Sequence, residues 1–548
     1  MPIEFATEPD SYRHWRLSVD GPVATLTLDV EPDGGVEPGY ELKKNSYDLG
    51  VYVELADAVQ RLRFSYPQVR AVIMTSALDR MFCAGANIGM LAQSAHAFKV
   101  NFCKFCNETL AAIEDASDSG QTYIAALNGT AAGGGYELAL ACEKILLTDD
   151  GSATVALPEV PLLGVLPGTG GLTRLTDKRG VRRDLADVFA TTAEGIRGQR
   201  AIDWRLVDEI AKPSEFRSAA LRIAEEGIRR SPDLSSGSGV ELPRVSCYAE
   251  GDTWRYEHVL VERDRRAATA TITITGPAAP PSGVAALHEA GAATWPLAAA
   301  RELDDAISRL RFGEPELGTW LLKTAGDPAN VLATDDLLAG SDDWLAREIV
   351  GLWKRTLWRL EATSRSLLAL IEPGSCFAGT LLEIALAADR QYMLDGVFED
   401  APPGQQPAVV QLGAMNAGPL PAASGATRLA VRFGAGHGLD AAMAAAGKEL
   451  LAADAVELGL VTAAPDDIDW DDELRLVISE RAGFSPDALT GMEASLRFAG
   501  TESMATKIFG RLAAWQNWIF LRPNASGPQG ALRRYGTGQR ADFDRKRV

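Results

Sequence analysis

Hydrophobic and polar residues along the first half of the chain alternate in patterns typical of strands and of helices. Period-two alternation on either side of Gly21 predicts two paired strands, and residues 49–64 have the spacing of an amphipathic helix. The apolar runs 71–75 and 122–127 predict buried strands, and an apolar helix is expected to begin at Glu137. Strands that alternate with helices predict an α/β fold with mostly parallel strands.

The second half of the chain repeats the first. The segment LADAVQRLRF at 55–64 recurs as LDDAISRLRF at 303–312, an offset of 248 residues. Further landmarks recur in the same order at offsets between 246 and 254: 25–28 at 271–274, 137–141 at 383–387, 173–175 at 427–429, and 201–207 at 455–461. This order and spacing predict two copies of one fold, at roughly 13–240 and 255–480.

The end of the chain has a helical pattern. Residues Met504, Ile508, Leu512, Trp515 and Ile519 fall on one stripe, which we expect to pack on a core because its flanks lack the basic face of a membrane-surface helix. A Ser-, Gly- and Pro-rich connector is expected at 231–243. We therefore predict a first core at 1–254, a second core at 255–483, and a helical C-terminal extension with a basic tail at 484–548.

The charge composition of the chain limits the kinds of molecule that it can bind. The 548 residues include 54 Lys and Arg against 74 Asp and Glu, a net charge of -20. This acidic balance argues against nucleic acid and anionic membranes as partners. Since the chain also lacks a signal peptide pattern and a long apolar run, we predict a cytoplasmic protein that does not bind membranes.

Cysteine and histidine usage argues against redox and metal chemistry. The six cysteines are scattered, and the pair Cys103 and Cys106 lies in a helical stretch rather than after a strand, so we predict free thiols. The five histidines show no metal-ligand spacing. We therefore predict no metal site and no disulfide framework.

Two small-residue turns could bind an oxyanion. The segments 84–86 and 133–135 each follow a predicted strand and precede a predicted helix, where unpaired backbone N–H groups favour negative charge. Neither segment matches a dinucleotide-binding or phosphate-loop pattern. Either turn taken alone could equally serve close helix packing.

Two glutamates have apolar neighbours along the chain. Glu137 is followed by apolar residues, and Glu159 lies within a Leu-Pro-Glu-Val segment. Burial disfavours the charged form of a carboxyl group and raises its pKa toward the range useful for acid and base catalysis. The alternative for each glutamate is a surface or helix N-terminal charge.

Three motifs in order resemble the enoyl-CoA hydratase (crotonase) superfamily. They are FCAGANI at 82–88, NGTAAGGGYELA at 128–139, and LPEVPLLGVLPGTGGLTRL at 157–175. The resemblance implies a spiral core of repeated ββα units that binds acyl-CoA thioesters. It implies that the N–H groups of Ala86 and Gly134 bind the thioester oxygen and that Glu137 and Glu159 act as acid and base. It also implies that the substrate contacts Ala84, Gly133, Lys43 and Lys44, with the two lysines near the adenosine end. The alternative for the two lysines is a pair of solvated surface charges.

One position departs from the superfamily pattern. The residue after Ala86 is usually Asp and is Asn87 here. Because an amide both donates and accepts hydrogen bonds, Asn87 could contact an oxygenated substrate, or it could cap a helix.

The second copy has lost most of these residues. Glu383 matches Glu137, but the counterparts of Gly134 and Glu159 are Thr380 and Gly413. We predict that this copy is a degenerate structural partner of the first. Since superfamily members with a single core commonly form trimers, the fused pair implies a different assembly, and we predict a homodimer.

The length and the C-terminal segment FGRLAAWQNWIFLRPNA at 509–525 resemble a ring-opening subgroup of the superfamily. This implies conversion of 2,3-epoxy-2,3-dihydrobenzoyl-CoA and two waters to 3,4-didehydroadipyl-CoA semialdehyde and formate, as in aerobic benzoate degradation, with no cofactor beyond the CoA of the substrate. Hydration or isomerisation of an enoyl-CoA, or a non-catalytic acyl-CoA-binding scaffold, are the alternatives.

Overall fold

A computed structural model describes residues 3–231, 238–434 and 436–548 of the chain. The chain divides into two compact units, Met1–Arg244 and Val245–Val548. Residues 232–237 of the predicted connector lie outside the described residues. No helix of the described residues is long and apolar enough to cross a membrane.

The first unit is an α/β structure, as the alternating pattern predicts. Its strands are β1 Trp15–Asp20, β2 Val23–Leu28, β3 Ala71–Ser76, β4 Arg80–Cys83, β5 Thr122–Leu127, β6 Gly129–Ala132, β7 Lys144–Thr148, β8 Val155–Ala156 and β9 Glu209–Ala211. Its helices are α1 Leu49–Phe64, α2 Ile88–Gln93, α3 His96–Asp118, α4 Gly134–Ala141, α5 Glu159–Leu163, α6 Gly171–Thr173, α7 Arg183–Ala190, α8 Gln199–Asp203 and α9 Phe216–Arg230.

The main sheet of this unit has the order β1-β2-β3-β5-β7-β9. Strands β1 and β2 form an antiparallel hairpin, and the other neighbours pair in parallel. Ile73, Ile124 and Leu146 form a core cluster with Ile223 of α9. Because β3, β5 and β7 are almost wholly buried, they read as continuous apolar runs rather than alternating ones.

A second, smaller sheet positions the candidate site. Strands β4, β6 and β8 pair in parallel, so their carboxyl ends lie at one edge. The segments that leave this edge are 84–86, 133–134 and 157–159, which carry the three motifs of the sequence. Ligands of open α/β sheets commonly bind at such an edge.

Helix α4 begins earlier than its apolar pattern predicts. It starts at Gly134, so Glu137 lies in the first turn and not at the first position. Gly133 precedes the helix with a φ of 55°, a backbone conformation that favours glycine. Every residue of α4 is buried, which explains why its sequence is apolar on all sides.

The second unit contains another strand and helix array. Its strands are β10 Tyr248–Glu250, β11 Thr253–Arg255, β12 Val259–Asp264, β13 Thr269–Thr275, β14 Thr319–Ala325, β15 Ser366–Ile371 and β16 Arg390–Met393, which form one sheet in that order. Its helices are α10 Val284–Ala290, α11 Trp295–Gly313, α12 Pro328–Ala339, α13 Trp344–Ala362, α14 Gly379–Ala387, α15 Arg428–Phe433, α16 Leu439–Ala444, α17 Ala452–Glu457, α18 Trp470–Gly483, α19 Pro486–Arg497, α20 Met504–Thr506, α21 Ala513–Leu521, α22 Pro523–Ser526 and α23 Ala531–Arg534.

The C-terminal region is helical, but its apolar stripe does not pack as predicted. Met504 and Leu512 are 78% and 52% exposed, whereas Trp515 and Ile519 pack over Gly491 of α19. A π-helical turn at Lys507–Leu512 joins α20 to α21. Because this turn changes the residue spacing, the five residues do not share one buried face.

Candidate active site

The turns after β4 and β6 come into direct contact. Gly85 has a φ of 88°, and a Cβ atom at this position would lie 2.9 Å from the Gly134 nitrogen and 2.8 Å from the Ala132 oxygen. Gly133 donates a backbone hydrogen bond of 2.9 Å to Ala156 of β8. The glycines therefore allow the three carboxyl-end segments to approach one another closely.

Tyr47 supports both turns and was missed by the sequence analysis. Its N–H donates to the Gly85 carbonyl at 3.0 Å, and its carbonyl accepts the Asn87 N–H at 2.8 Å, so the peptide around Ala86 is held on both sides. The buried Tyr47 hydroxyl lies against Gly134, where an added Cβ atom would overlap it. Gly134 is the first residue of α4, where N–H groups have no partner inside the helix.

Glu137 is buried and accepts hydrogen bonds from one loop. The N–H groups of Thr169 and Gly171 donate to Oε1 at 2.9 and 2.8 Å, and the Thr169 hydroxyl donates to Oε2 at 2.5 Å. Burial raises the pKa of Glu137, and these hydrogen bonds oppose that rise because they stabilise the carboxylate. Glu137 is thus an oriented carboxyl group whose ionised form has ready-made donors.

Glu159 has a different environment. It is the first residue of α5, it is 8% exposed, and a Cβ atom at Gly133 would lie 2.8 Å from its Oε1. Among the described residues its buried Oε2 has no hydrogen-bond partner. Burial raises the pKa of Glu159 to about 7, with a smaller contribution from the charge of Glu137. A carboxyl group with this pKa exchanges a proton readily at neutral pH.

A glycine-rich loop behind Glu137 is fixed from α3. Asn107 of α3 donates to the Gly168 carbonyl at 3.1 Å, and Arg174 donates to the Thr169 carbonyl at 2.7 Å. Arg174 also forms a two-point ion pair with Glu114 of α3, both hydrogen bonds being 2.8 Å long. The sequence places this loop in a motif but does not show that Thr169 reaches Glu137.

Cys103 lies at the same loop. A Cβ atom at Gly168 would be 3.3 Å from its sulfur. Burial and the nearby charge of Glu137 raise the pKa of Cys103 to about 11, so the thiol is protonated at neutral pH. The six cysteines all lie among the described residues and carry thiols rather than disulfides, as predicted.

The other candidate residues lie around the Ala86 turn. Asn87 caps α2 by accepting from the Met90 N–H at 2.9 Å, and its amide donates to the Glu41 carbonyl at 2.7 Å and to the Ser46 hydroxyl at 3.0 Å. Of the two roles expected for Asn87, the structure shows the helix cap. Both hydrogens of its side-chain amide are already donated in hydrogen bonds.

Lys43 and Lys44 lie in a short turn beside this segment. Ala84 donates its N–H to the Lys44 carbonyl at 3.1 Å, so the turn contacts the start of the site. Lys44 has a φ of 58°, and both lysine side chains are exposed, with Lys43 paired to Glu41 at 2.5 Å. Two exposed cations near the Ala86 turn could meet an anionic part of a ligand.

A group with metal-like spacing occurs elsewhere, in the second unit. Among the described residues, donor atoms of Glu257, His258 and Glu302 lie within 4.8 Å of one another. Glu302 already accepts the His258 N–H at 2.7 Å, and Glu54 of the first unit accepts the His14 N–H in the same way. Both units use this hydrogen bond to attach the start of a strand to a helix. The closeness of Glu257, His258 and Glu302 therefore has a structural explanation.

Comparison with known proteins agrees with the motifs. Residues 41–236 match the enoyl-CoA hydratase/isomerase family. Carnitinyl-CoA dehydratase of Proteus mirabilis strain HI4320 is 30% identical over 204 residues, which are 37% of this chain and 74% of that protein. A crystal structure of enoyl-CoA hydratase from Geobacillus kaustophilus HTA426 is 34% identical, with a TM-score of 0.35, over 40% of this chain and 75% of that one.

One relative matches the whole chain. Benzoyl-CoA-dihydrodiol lyase of Aromatoleum evansii is 54% identical over 551 aligned residues, which cover 100% of this chain and 98% of that protein. The resemblance inferred from three motifs is thereby confirmed, and the first unit has the crotonase-type α/β fold. The chain belongs to the benzoyl-CoA-dihydrodiol lyase family, and its first unit contains the enoyl-CoA hydratase/isomerase region.

Proposed function

We propose that this protein opens the ring of 2,3-epoxy-2,3-dihydrobenzoyl-CoA, with two waters, to 3,4-didehydroadipyl-CoA semialdehyde and formate. The observation that carries this proposal is the 54% identity to the lyase of A. evansii along the full chain. The site supports it, since two buried glutamates and two glycine-containing turns meet at the carboxyl edge of one small sheet. We propose no cofactor apart from the CoA carried by the substrate.

The thioester carbonyl is bound by the two turns. The N–H groups of Ala86 and Gly134 donate to its oxygen, and Ala84 and Gly133 line the approach to it. Fixed N–H donors stabilise the negative charge that develops on this oxygen without having to reorganise. The close contact between Gly85 and Gly134 supports a joint role for the two turns.

The glutamates have separate roles. Glu159, with a pKa near neutrality and an unpartnered oxygen, is the proton donor to the epoxide oxygen. Three donors favour the ionised form of Glu137 against the effect of burial, and its Oε2 keeps acceptor capacity, so we assign to Glu137 the proton of the attacking water. Two carboxyl groups whose environments favour different protonation states commonly divide acid and base work in this way.

The reaction balances with water as the only co-substrate. Ring opening breaks one epoxide C–O bond and forms a C–O bond to the first water, with one proton taken by Glu137 and one given by Glu159. Cleavage of the ring C–C bond between the two oxygen-bearing carbons then opens the ring and leaves an aldehyde at one end and a formyl group next to the thioester α-carbon at the other. The second water adds to this formyl carbon, its remaining C–C bond breaks, and formate leaves while the electron pair stays on the α-carbon as the thioester enolate, which then takes up a proton. The oxyanion donors hold the thioester as its enolate charge forms and collapses.

We propose that the second unit is a degenerate copy of the first. The repeat extends to side-chain contacts: Tyr12 and Arg61 both bond Asp57, and Tyr256 and Arg309 bond Asp305 in the same way. In each unit an antiparallel hairpin leads into parallel strands. The domain division at 1–254, 255–483 and 484–548 is part of this proposal.

The counterpart site of the second unit is closed by its own side chains. Thr380, the counterpart of Gly134, donates its N–H and hydroxyl to Asp335 at 2.6 and 2.7 Å. Glu383, the counterpart of Glu137, is paired with Arg428 at 2.9 Å. With its N–H occupied and its carboxylate neutralised, this unit supports a structural role.

Asp335 gives a direct test of that role. Burial raises the pKa of Asp335 from 3.8 to about 7. Because the folded protein binds this proton more tightly than the unfolded chain, the carboxylate lowers stability progressively as the pH rises through this range, by at most on the order of 4 kcal/mol above it. We expect Asp335→Asn to raise the melting temperature at pH 8, to leave it unchanged near pH 4, and to leave formate release unchanged.

The exposed neighbour provides the matched control. Asp336→Asn should leave melting temperature and turnover unchanged at both pH values. A tenfold loss of turnover in Asp335→Asn, with the fold intact by circular dichroism, would show that the second unit takes part in the reaction.

Three further features belong to the proposal. The protein is a cytoplasmic homodimer, since the fused cores replace a single-core subunit. Lys43 and Lys44 bind CoA phosphates, a role supported by their exposure beside the Ala86 turn. The protein binds neither nucleic acid nor membranes, in keeping with its net charge of -20.

The deciding assay is formate release from enzymatically generated 2,3-epoxybenzoyl-CoA, with crotonyl-CoA hydration measured on the same preparation. We expect formate and an aldehyde in equal amounts. Hydration without formate would reassign the site to an enoyl-CoA hydratase, a reaction that two glutamates also support. If the protein showed no activity in either assay but still bound acyl-CoA, it would be a non-catalytic acyl-CoA-binding scaffold.

A further inference from the structure

A single threonine links the Glu137 carboxylate to an arginine. Thr169 is 4% exposed and donates to Glu137 from both its N–H and its hydroxyl. On its other side the Thr169 carbonyl accepts from Arg174 at 2.7 Å, and Arg174 is anchored by Glu114. Arg174 therefore contacts Thr169 and forms no ion pair with Glu137, and its charge also lowers the pKa of Glu137 from a distance.

The second unit shows the alternative arrangement. Arg428, the repeat counterpart of Arg174, contacts Glu361 at 2.7 Å and also reaches Glu383 directly at 2.9 Å. Asn416 donates to the other oxygen of Glu383 at 2.7 Å. A carboxylate paired with a buried arginine is neutralised and gives up its function as a proton acceptor.

The two arrangements differ in what stabilises the carboxylate. In the second unit the positive charge of Arg428 stabilises the Glu383 carboxylate. In the first unit the Thr169 hydroxyl and two N–H groups stabilise the Glu137 carboxylate by hydrogen bonds. Hydrogen bonds orient a carboxylate and favour its ionised form. Unlike a counter-charge, they do not neutralise it, so the carboxylate can still accept a proton. The Thr169 hydroxyl is the one side-chain donor of this set.

We infer that Thr169 is a positioning residue for the reaction, which orients Glu137 and keeps it ionised by hydrogen bonds while Arg174 fixes Thr169 from behind. The inference rests on the role of Glu137 under the proposed function. It assigns a task to two residues that lie outside the two turns of the oxyanion site.

Several other groups shape the titration of Glu137. The groups that interact with it electrostatically, on the neighbouring elements, are Tyr47, Tyr52, Cys103, Cys106, Glu159 and Arg174. The thiols and phenols are neutral near pH 7 because burial raises the pKa of each. The Thr169 hydroxyl and Arg174 both lower the pKa of Glu137, so loss of either should raise it.

The test compares Thr169→Val, which removes the hydroxyl at nearly constant volume, with Thr169→Ser, which keeps it. In Thr169→Val we expect the acidic limb of kcat/KM to move to higher pH by about one unit, so that activity falls by up to about tenfold at pH values below the limb and is unchanged above it, with KM nearly unchanged. Thr169→Ser should behave as the unmodified protein. Arg174→Met should move the limb in the same direction by less, and the double variant should show less than the sum of the two shifts.

Two outcomes would overturn the inference. One is an equal loss of activity at every pH in Thr169→Val, which a merely structural threonine would give. The other is an unmoved limb with normal activity. If Thr169→Val does not fold by circular dichroism, Thr169→Ala and Thr169→Ser give the same comparison without and with the hydroxyl, and equal limbs in these two variants overturn the inference as well.

A second readout does not depend on turnover. The infrared band of protonated carboxyl groups can be followed against pH, with Glu137→Gln as the blank. We expect the midpoint of the Glu137 band to rise in Thr169→Val and not in Thr169→Ser. A protein that releases no formate but shows this shift would refute the proposed function alone; formate release without the shift would refute only the role of Thr169.

Discussion

Glu159→Gln should lower kcat for formate release by about 100-fold to 10,000-fold, the usual contribution of a general acid or base. Glutamine has nearly the same shape but carries no transferable carboxyl proton. Because the thioester is held by backbone N–H groups in this proposal, KM should change little. The measurement is steady-state formate release across pH 5 to about 9.

The pH profile sharpens this expectation. Burial raises the pKa of Glu159 to about 7, so the protonated acid is lost as the pH rises through neutrality, and kcat/KM should fall there. The same group destabilises the fold at high pH, because its folded-state pKa lies above the ordinary value of 4.5. Glu159→Gln should therefore lose the basic limb and melt at a higher temperature at pH 8 but not at pH 4.

A surface glutamate provides the control. Glu225 of α9 is exposed, and Glu225→Gln should leave turnover, pH profile and melting temperature unchanged. If Glu159→Gln retained more than a tenth of the turnover, Glu159 would not carry the proton, and Glu137 would have to serve as both acid and base.

The local elements could be predicted because their signals are contiguous in the sequence. The amphipathic spacing of 49–64 predicts α1 at its observed bounds, where Asp48 caps the helix by accepting the Gly50 N–H at 2.9 Å. The strand 122–127 likewise matches β5 because both its faces are buried. The two glycine-containing turns could be proposed for the same reason, since each lies within one short motif, 82–88 or 128–139.

Other parts of the site could not be predicted because they depend on long-range contacts or very short elements. The strand β8 has two residues, too few to show any period, although it aligns the segment that carries Glu159. Thr169 reaches Glu137 across 32 positions, and the sequence shows it only as one polar residue among glycines. The contact of Tyr47 with Gly134 has no sequence signal at all.

Residue spacing did not predict the packing of the C-terminal stripe. Residues at helical spacing share one face only if every turn is α-helical, and one π-helical turn at Lys507–Leu512 removes that condition. The start of α4 was misplaced for a related reason. The apolar pattern begins only after the glycines, at Glu137, whereas the helix begins at Gly134, directly after the positive φ of Gly133.

Gly134→Ala should reduce kcat/KM by about 100-fold to 1000-fold, the range seen when one oxyanion donor is lost. The added methyl group would overlap the buried Tyr47 hydroxyl, so either α4 or Tyr47 must move. Movement of α4 displaces the Gly134 N–H from the thioester oxygen. Movement of Tyr47 releases the Ala86 turn, which its backbone holds on both sides.

The double variant separates these effects from general instability. Tyr47→Phe removes the atom that is overlapped first, so Tyr47→Phe/Gly134→Ala should recover part of both kcat/KM and melting temperature relative to Gly134→Ala. Gly313→Ala is the matched control, because a Cβ atom there meets nothing within 4 Å. If Gly134→Ala melted at a lower temperature but kept its full kcat/KM, the glycine would serve only packing, and the oxyanion donor would have to be sought elsewhere. If the double variant recovered stability without activity, the Tyr47 hydroxyl itself would contribute to the chemistry beside Gly134.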